Sequence, residues 1–400
     1  MKLAGGTPVY VPLTFKPYND DNDNIFSVSG GEWVLERHRL EQAISPNTRA
    51  IILNSPHNPT GKIFTRLEME SIAHAMESKA SPKCVVLSDE VYKYIVHSPP
   101  QEDNNLIENN ESIAETEEEK MNSNKGSTAA ITCPGHTHFA SLPNMYDRTI
   151  TISSAGKTFS ATGWQVGWCI GPTKLISPIH QLLPYVQFCA STVIQETLAR
   201  TLAKAELPYQ GYSNYYEYLK AMYTAKRDLL GSALREVGFG IPDYNITPGG
   251  GFFIFARIGP AILEAIPKER VNAVNPVAPG GVARADWALC QWLAEEKGIL
   301  CIPSSPFYSR ERAMEGASDE YIRIAFCKSA DTIEEAAQAF QNLKNTILKN
   351  QTEQKKNNNE SDNKKDVDRT YGKDDTVVII DDNSILSKEN KVIIEQRGGK

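Results

Sequence analysis

The sequence predicts an α/β fold: a mostly parallel sheet flanked by helices, followed by a smaller α+β domain on the carboxy-terminal side. Three observations predict it. Short, wholly apolar runs such as Ala50-Ile51-Ile52-Leu53 and Cys84-Val85-Val86-Leu87 lack the polar alternation of a half-exposed strand, so they read as strands buried on both faces. Helical segments separate them, and strands alternating with helices imply parallel pairing beneath two helical layers. After about residue 213 the order changes to one long helix, three strand-like runs and a closing helix.

Ala50–Leu53 stops at Asn54-Ser55-Pro56. Thr65-x-x-Glu68 is a capping box, and Leu67, Ile72, Ala73 and Met76 follow at helical spacing. Cys84–Leu87 supplies the second strand, Thr149–Ile152 the third and Val166–Ile170 the fourth. Residues 213–237 read as one helix, with strands at Gly251–Phe255, Gly298–Ile302 and Tyr321–Phe326 after it. A last helix starts at Asp331-x-x-Glu334 and places Ile333, Ala337, Phe340, Leu343 and Ile347 on one face. The expected division is a large domain from residues 1–98 and 128–222 and a small one from 223–349. Residues 99–127 and 350–400 have too few apolar groups to offset the entropy of ordering, so they are predicted to be a disordered acidic insertion and a disordered polar tail. The runs Thr376–Ile380 and Lys391–Ile394 in the tail form at most a marginal hairpin.

Composition is that of a globular chain: 400 residues, 40 % apolar and 23 % charged. The net charge of −7 sits in the appendages, with −6 on residues 101–127 and −1 on 351–400, so it says nothing about a charged substrate. No basic patch interleaves with aromatics, which argues against nucleic acid as a partner. No run approaches the ~18 apolar residues of a membrane helix, and Met1–Gly6 lacks the apolar centre of a secretory signal. The seven cysteines form no Cys-x-x-Cys pair, which argues against a zinc ribbon, a thioredoxin motif or a disulfide scaffold. The chain reads as cytoplasmic. Its histidines show no metal-binding spacing, His136-Thr137-His138 included, and no metal is expected.

Ligand-binding groups of an open α/β sheet gather beyond the carboxyl ends of its strands. Three such loops hold polar clusters: Asn54–Gly61, Ser88–Tyr92 and Ser153–Ser160. Together they offer an amide, a carboxylate, a phenol, hydroxyls and a lysine. That set fits a phosphorylated pyridine aldehyde: an amine to condense with the aldehyde, a carboxylate to keep the ring nitrogen protonated, donors for the phenolic oxygen, and hydroxyls for phosphate. Each residue alone has a plainer reading. Asp89 fits a helix cap, Asn58 a turn beside Pro59, Ser154 a loop cap, and Arg323 a surface ion pair. Phe307 and Tyr308 fit a core as well as a pocket wall.

Asn58-Pro59-Thr60-Gly61, Asp89-Glu90-Val91-Tyr92 and Ser154-Ala155-Gly156-Lys157-Thr158-Phe159 resemble the signature blocks of class I/II aminotransferases, pyridoxal-phosphate enzymes of fold type I. Ser153–Trp168, Phe307-Tyr308-Ser309 and Tyr321-Ile322-Arg323 most resemble the kynurenine aminotransferase (cysteine-conjugate β-lyase) branch. The likeness covers about residues 3–348 apart from the acidic insertion. It implies that Lys157 binds the cofactor aldehyde and moves the substrate proton, Asp89 pairs with the pyridine nitrogen, and Tyr92 and Asn58 bond the phenolic oxygen. It further implies that Ser154 contacts the phosphate, Arg323 grips the substrate carboxylate, and Phe307 and Tyr308 flank large or sulfur-containing substrates. Asn58-Pro59 is expected to be cis, and a homodimer is implied.

Two departures qualify the resemblance. The family has a basic residue eight positions after the lysine; here it is Gln165, which donates hydrogen bonds to phosphate without charge, a loss of roughly 1.5–3 kcal/mol. Leu3–Leu13 resembles an interior strand region of the family, so the sheet is expected to be truncated at its amino end, without the Gly-rich phosphate cradle and the ring-stacking aromatic. Three readings follow: an active aminotransferase or β-lyase, a non-catalytic family member, or a piece of a longer protein. A mitochondrial location is the alternative to the cytoplasm if a preceding segment carried a transit peptide.

Overall fold

The structure, a computed structural model, describes residues 2–18, 30–97, 135–243, 249–314 and 319–367. It divides into two units, Met1–Leu348 and Lys349–Lys400, and among the described residues every sheet lies in the first. The strands are β1 (Leu13–Pro17), β2 (Gly31–Leu35), β3 (Ala50–Asn54), β4 (Val85–Asp89), β5 (Thr149–Ser154), β6 (Gly167–Ile170), β7 (Phe253–Arg257), β8 (Ile302–Pro303) and β9 (Tyr321–Ala325). The helices are α1 (Arg37–Ala43), α2 (Arg66–Lys79), α3 (Ala155–Thr158), α4 (Thr173–Val186), α5 (Thr192–Ala205), α6 (Tyr215–Val237), α7 (Pro260–Ala265), α8 (Lys268–Val271), α9 (Ala285–Lys297), α10 (Arg310–Met314) and α11 (Ala330–Val367).

The apolar runs become a four-stranded sheet of order β3-β4-β5-β6. β3, β4 and β5 are parallel, but β6 returns antiparallel to β5 after a short connection. α2 begins at the expected capping box: Thr65 Oγ1 accepts from Glu68 N (3.2 Å), and Glu68 Oε2 accepts from Thr65 N (2.8 Å). Its Met69, Ile72 and Met76 pack with Leu53, Val86 and Phe139. The expected burial of both sheet faces is not met, because Ile52 and Ile170 are more than half exposed. α4 buries no residue at all.

The second half forms a sheet of order β7-β9-β8 with antiparallel pairing. α6, α9 and α11 cover it through Leu230, Leu234, Leu289, Leu293, Phe340 and Leu343, and the same core reaches Tyr92 and Ile95. No strand forms within residues 3–12. The first strand begins at Leu13, and Pro8 and Pro12 before it cannot donate to a ladder. β1 pairs only with β2, and that hairpin packs through Trp33 and Phe15 onto Phe255 and Tyr321 of the second sheet. α11 runs to Val367, past the expected start of the tail at residue 350; residues 351–367 contain no Pro or Gly to stop a helix already nucleated. The acidic insertion and the two apolar runs of the tail lie outside the described residues.

Candidate active site

The sheet register sets the site. Asn54, the last residue of β3, stands opposite Asp89, the last residue of β4, and Asp89 stands opposite Ile152 of β5. At this carboxyl-terminal edge Asn54 Nδ2 donates to Asp89 O (3.1 Å), and Asn58 N donates to Asn54 Oδ1 (2.8 Å), so the loop folds back over the strand ends. Asn58-Pro59 is cis as expected, and Ser55-Pro56 is cis as well. Gly249–Gly251 braces this loop. Gly250 N donates to Gly61 O (2.8 Å), and a Cβ on Gly250 would meet Pro56 Cγ at 2.6 Å and Ile95 O at 2.8 Å. Only a residue without a side chain fits there.

Lys157 lies in the single turn α3 directly after β5. Its Nζ stands 5.9 Å from the ring centroid of Tyr92 and 5.8 Å from that of Phe252. Burial raises the pKa of the neighbouring Asp89 carboxyl, Glu90 adds to the rise, and the Val91 amide and the Lys157 charge oppose it. Burial, helped by the Asp89 charge, pushes the Tyr92 phenol up to about 12 against the pull of Arg323. Tyr92 therefore stays protonated and able to donate.

Arg323 projects from β9 into the same space. Its guanidinium lies 4.6 Å from the Phe253 ring centroid and 4.8 Å from that of Phe307, and Nη1 donates to Asn58 Oδ1 (3.0 Å). Burial lowers its pKa, opposed by Tyr92 and Cys327, neither of which is a carboxylate. Arg323 Nε is buried without a hydrogen-bond partner. A planar cation held between two rings, with a donor still unpaired, suits a carboxylate ligand.

Asn58, Asp89, Tyr92, Lys157, Arg323 and Phe307 thus come together. The other three expected residues make local or core contacts of their own. Tyr308 packs on the cluster of Trp33, Phe255 and Tyr321. Ser154 Oγ caps α3 by accepting from Gly156 N (3.1 Å). Gln165 is exposed, with φ at 54°, and its Nε2 donates to Thr162 O (2.9 Å) in its own turn. Sequence reasoning missed the two aromatic platforms, Phe252 beneath Lys157 and Phe253 beneath Arg323. Their only signal was adjacency to the Gly run. It missed the hairpin behind Phe307 as well; Phe255, which packs on Phe307 at 6.1 Å, is itself held by Trp33.

A lysine, a half-buried carboxylate and a phenol thus gather at the strand ends of an α/β sheet, facing an arginine from a second sheet. The chain belongs to the aminotransferase class I and II family, whose model matches residues 1–340. That family uses pyridoxal 5'-phosphate. The chain is similar to a kynurenine–oxoglutarate transaminase of Dictyostelium discoideum, 31 % identical over 342 residues that cover 86 % of this chain and 67 % of the relative. It is likewise similar to kynurenine–oxoglutarate transaminase 3 of Homo sapiens, 31 % identical over 336 residues, 84 % of this chain and 61 % of the relative. Among solved structures, the N-succinyldiaminopimelate aminotransferase of Mycobacterium tuberculosis matches with a TM-score of 0.59 at 27 % identity, covering 86 % of this chain and 67 % of that one. The chain therefore spans roughly two thirds or less of the length of these relatives.

Proposed function

We propose that this chain works as a pyridoxal-phosphate-dependent aminotransferase that moves an amino group from an amino acid of the kynurenine, glutamine, aromatic or sulfur type to a 2-oxo acid. One observation carries the proposal: Lys157, Asp89, Tyr92 and Asn58 converge at the strand ends beneath an arginine with an unpaired donor. The residues fit the cofactor. Partial burial raises the Asp89 carboxyl pKa and so penalises its charged form, and a protonated pyridine nitrogen there would be the cationic partner that offsets this. Tyr92, protonated, and Asn58 would bond the phenolic oxygen, and the Ser154 hydroxyl would face the phosphate.

When bound, pyridoxal phosphate supplies an electrophilic carbon for the amine and a ring that accepts electrons. Arg323 holds the substrate carboxylate through a forked pair and so fixes which Cα bond faces Lys157. Lys157 Nζ then takes the Cα proton and returns it on the other side of the exchange as a general base and acid. The Phe252 ring, 5.8 Å from Lys157 Nζ, would wall that path on one side.

The large and small domains, divided near residue 222, belong to this reading, as do a homodimer and a cytoplasmic location. No helix among the described residues is long and apolar enough to cross a membrane. The test is chemical. The full chain is incubated with pyridoxal phosphate, reduced with borohydride and mapped by mass spectrometry. The expected result is the reduced cofactor fixed on Lys157; its absence there overturns the reading. A panel of amino donors with 2-oxoglutarate then ranks the substrates.

A further inference from the structure

A second polar cluster lies beside this site and bears on it through the charge of Glu90 next to Asp89. Glu90 follows Asp89, its side chain is 1 % exposed, and its Oε1 accepts from Ser88 Oγ (2.8 Å). Its Oε2 is hydrogen-bonded to His138 Nδ1 and lies 3.0 Å from His136 Nε2. The two imidazole rings stand edge to face, 4.9 Å apart. The three ligand atoms all lie within 4.8 Å of one another.

His136 is the telling member. Its side chain is only 5 % exposed, yet neither ring nitrogen has a hydrogen-bond partner, although Nε2 is at contact distance from a carboxylate oxygen. The ring is aimed at Glu90 but out of line for a hydrogen bond. Buried polar atoms are rarely left so. An ion shared among the three donors would satisfy Nε2 without requiring that alignment.

We propose that Glu90, His136 and His138 form a binding site for Zn2+. Two imidazoles with one carboxylate, and a fourth position left to water, is a donor set that zinc accepts; calcium and magnesium prefer all-oxygen cages. Tetrahedral bonds of about 2.0–2.1 Å place donor atoms roughly 3.3 Å apart, close to the 3.0 Å between His136 Nε2 and Glu90 Oε2. His138 is nearly half exposed, so its ring can swing outward to that spacing and its side of the cluster is open to entering water. Ser88 Oγ, on the other carboxylate oxygen, fixes the orientation of Glu90 as an outer partner. The ion would clip the segment leading into β5 to the end of β4, next to Asp89.

The experiment uses the full chain, freed of metal by chelation. Zn2+ is titrated by calorimetry and Co2+ by visible absorbance. One equivalent of Zn2+ should bind, and Co2+ should give ligand-field bands without the sulfur charge-transfer band that exposed Cys169, Cys189 or Cys327 would produce. His138→Ala removes the half-exposed ligand and should weaken binding more than the roughly 10- to 100-fold that losing an outer partner costs. His136→Gln should do the same, and His180→Ala, on an exposed helical histidine, should change nothing. Thermal melts check that each variant folds. Absence of saturable binding to the wild-type chain leaves a hydrogen-bonded cluster only and overturns the proposal, as does unchanged affinity in both His138→Ala and His136→Gln.

Discussion

The two ends of the candidate site are built differently. At the end that would hold the cofactor ring and the substrate, Asp89, Tyr92, Asn58 and Arg323 come from two strand ends and a second sheet, and burial perturbs each of the three that titrate. At the end expected to meet phosphate, Ser154 and Gln165 satisfy their own backbone turns, and Gln165 is exposed. Long-range packing fixes the first end, whereas local hydrogen bonds fix the second. The comparison implies that the described residues supply the chemistry and carboxylate recognition more completely than phosphate binding.

The largest expected effect removes the reacting group. Lys157→Ala should abolish fixation of the cofactor by borohydride and lower any transamination rate by ~10³-fold or more, because both the covalent anchor and the proton carrier are lost. Its thermal midpoint should stay close to wild type, since Lys157 makes no ion pair among the described residues. A variant that retained the fixed mass elsewhere would place the reacting amine on another lysine.

Arg323→Lys keeps the charge but loses the fork that sits between Phe253 and Phe307. Removing one charge-assisted pair costs roughly 1.5–3 kcal/mol, so KM for an amino-acid donor should rise roughly 10- to 100-fold. The control is an amine that lacks the carboxylate. If the penalty is as large for that amine, Arg323 acts on the fold and not on the substrate, and the contrast between the two ends collapses.

The phosphate end should respond weakly. Gln165→Asn tolerates the left-handed backbone at this position and should change cofactor affinity by no more than about twofold, as expected of an exposed substitution. Ser154→Ala removes the cap of α3, worth about 1 kcal/mol, and should act through the placement of Lys157 as well as through phosphate. Spectroscopic titration with pyridoxal phosphate reads both. A large loss in Gln165→Asn would show that its side chain leaves Thr162 when the cofactor enters.

The ring end was legible in the sequence because its residues follow apolar strands within a few positions. Asp89 and Lys157 need only the apolar runs Cys84–Leu87 and Thr149–Ile152 to end at one sheet edge. What was not legible depends on partners far along the chain. The antiparallel turn of β6, the hairpin of β1 and β2 behind Phe255, and the Gly250 backbone against Pro56 arise from tertiary contacts that leave no local period. Glu90 with His136 and His138 shows the same limit, since the first imidazole lies 46 positions after the carboxylate, with the acidic insertion between them.

The smallest effect touches the loop that carries Asn58. His57 Nδ1 contacts Thr60 Oγ1 at 2.8 Å, and its pKa falls from 6.5 to about 4, first because the ring is desolvated and second because Lys62 is positive. The ring is therefore neutral in the fold, whereas in the unfolded chain it is protonated below 6.5. Between those two values the unfolded state binds more protons, so stability rises with pH across that window. His57 contributes fully above pH 6.5 and loses that contribution as pH falls toward 4. Urea unfolding at pH 7 and pH 5 should accordingly show a smaller drop in midpoint for His57→Gln than for wild type. Equal drops would mean that the ring is solvated in the fold, and that the loop holding Asn58 is as locally determined as the turn holding Gln165.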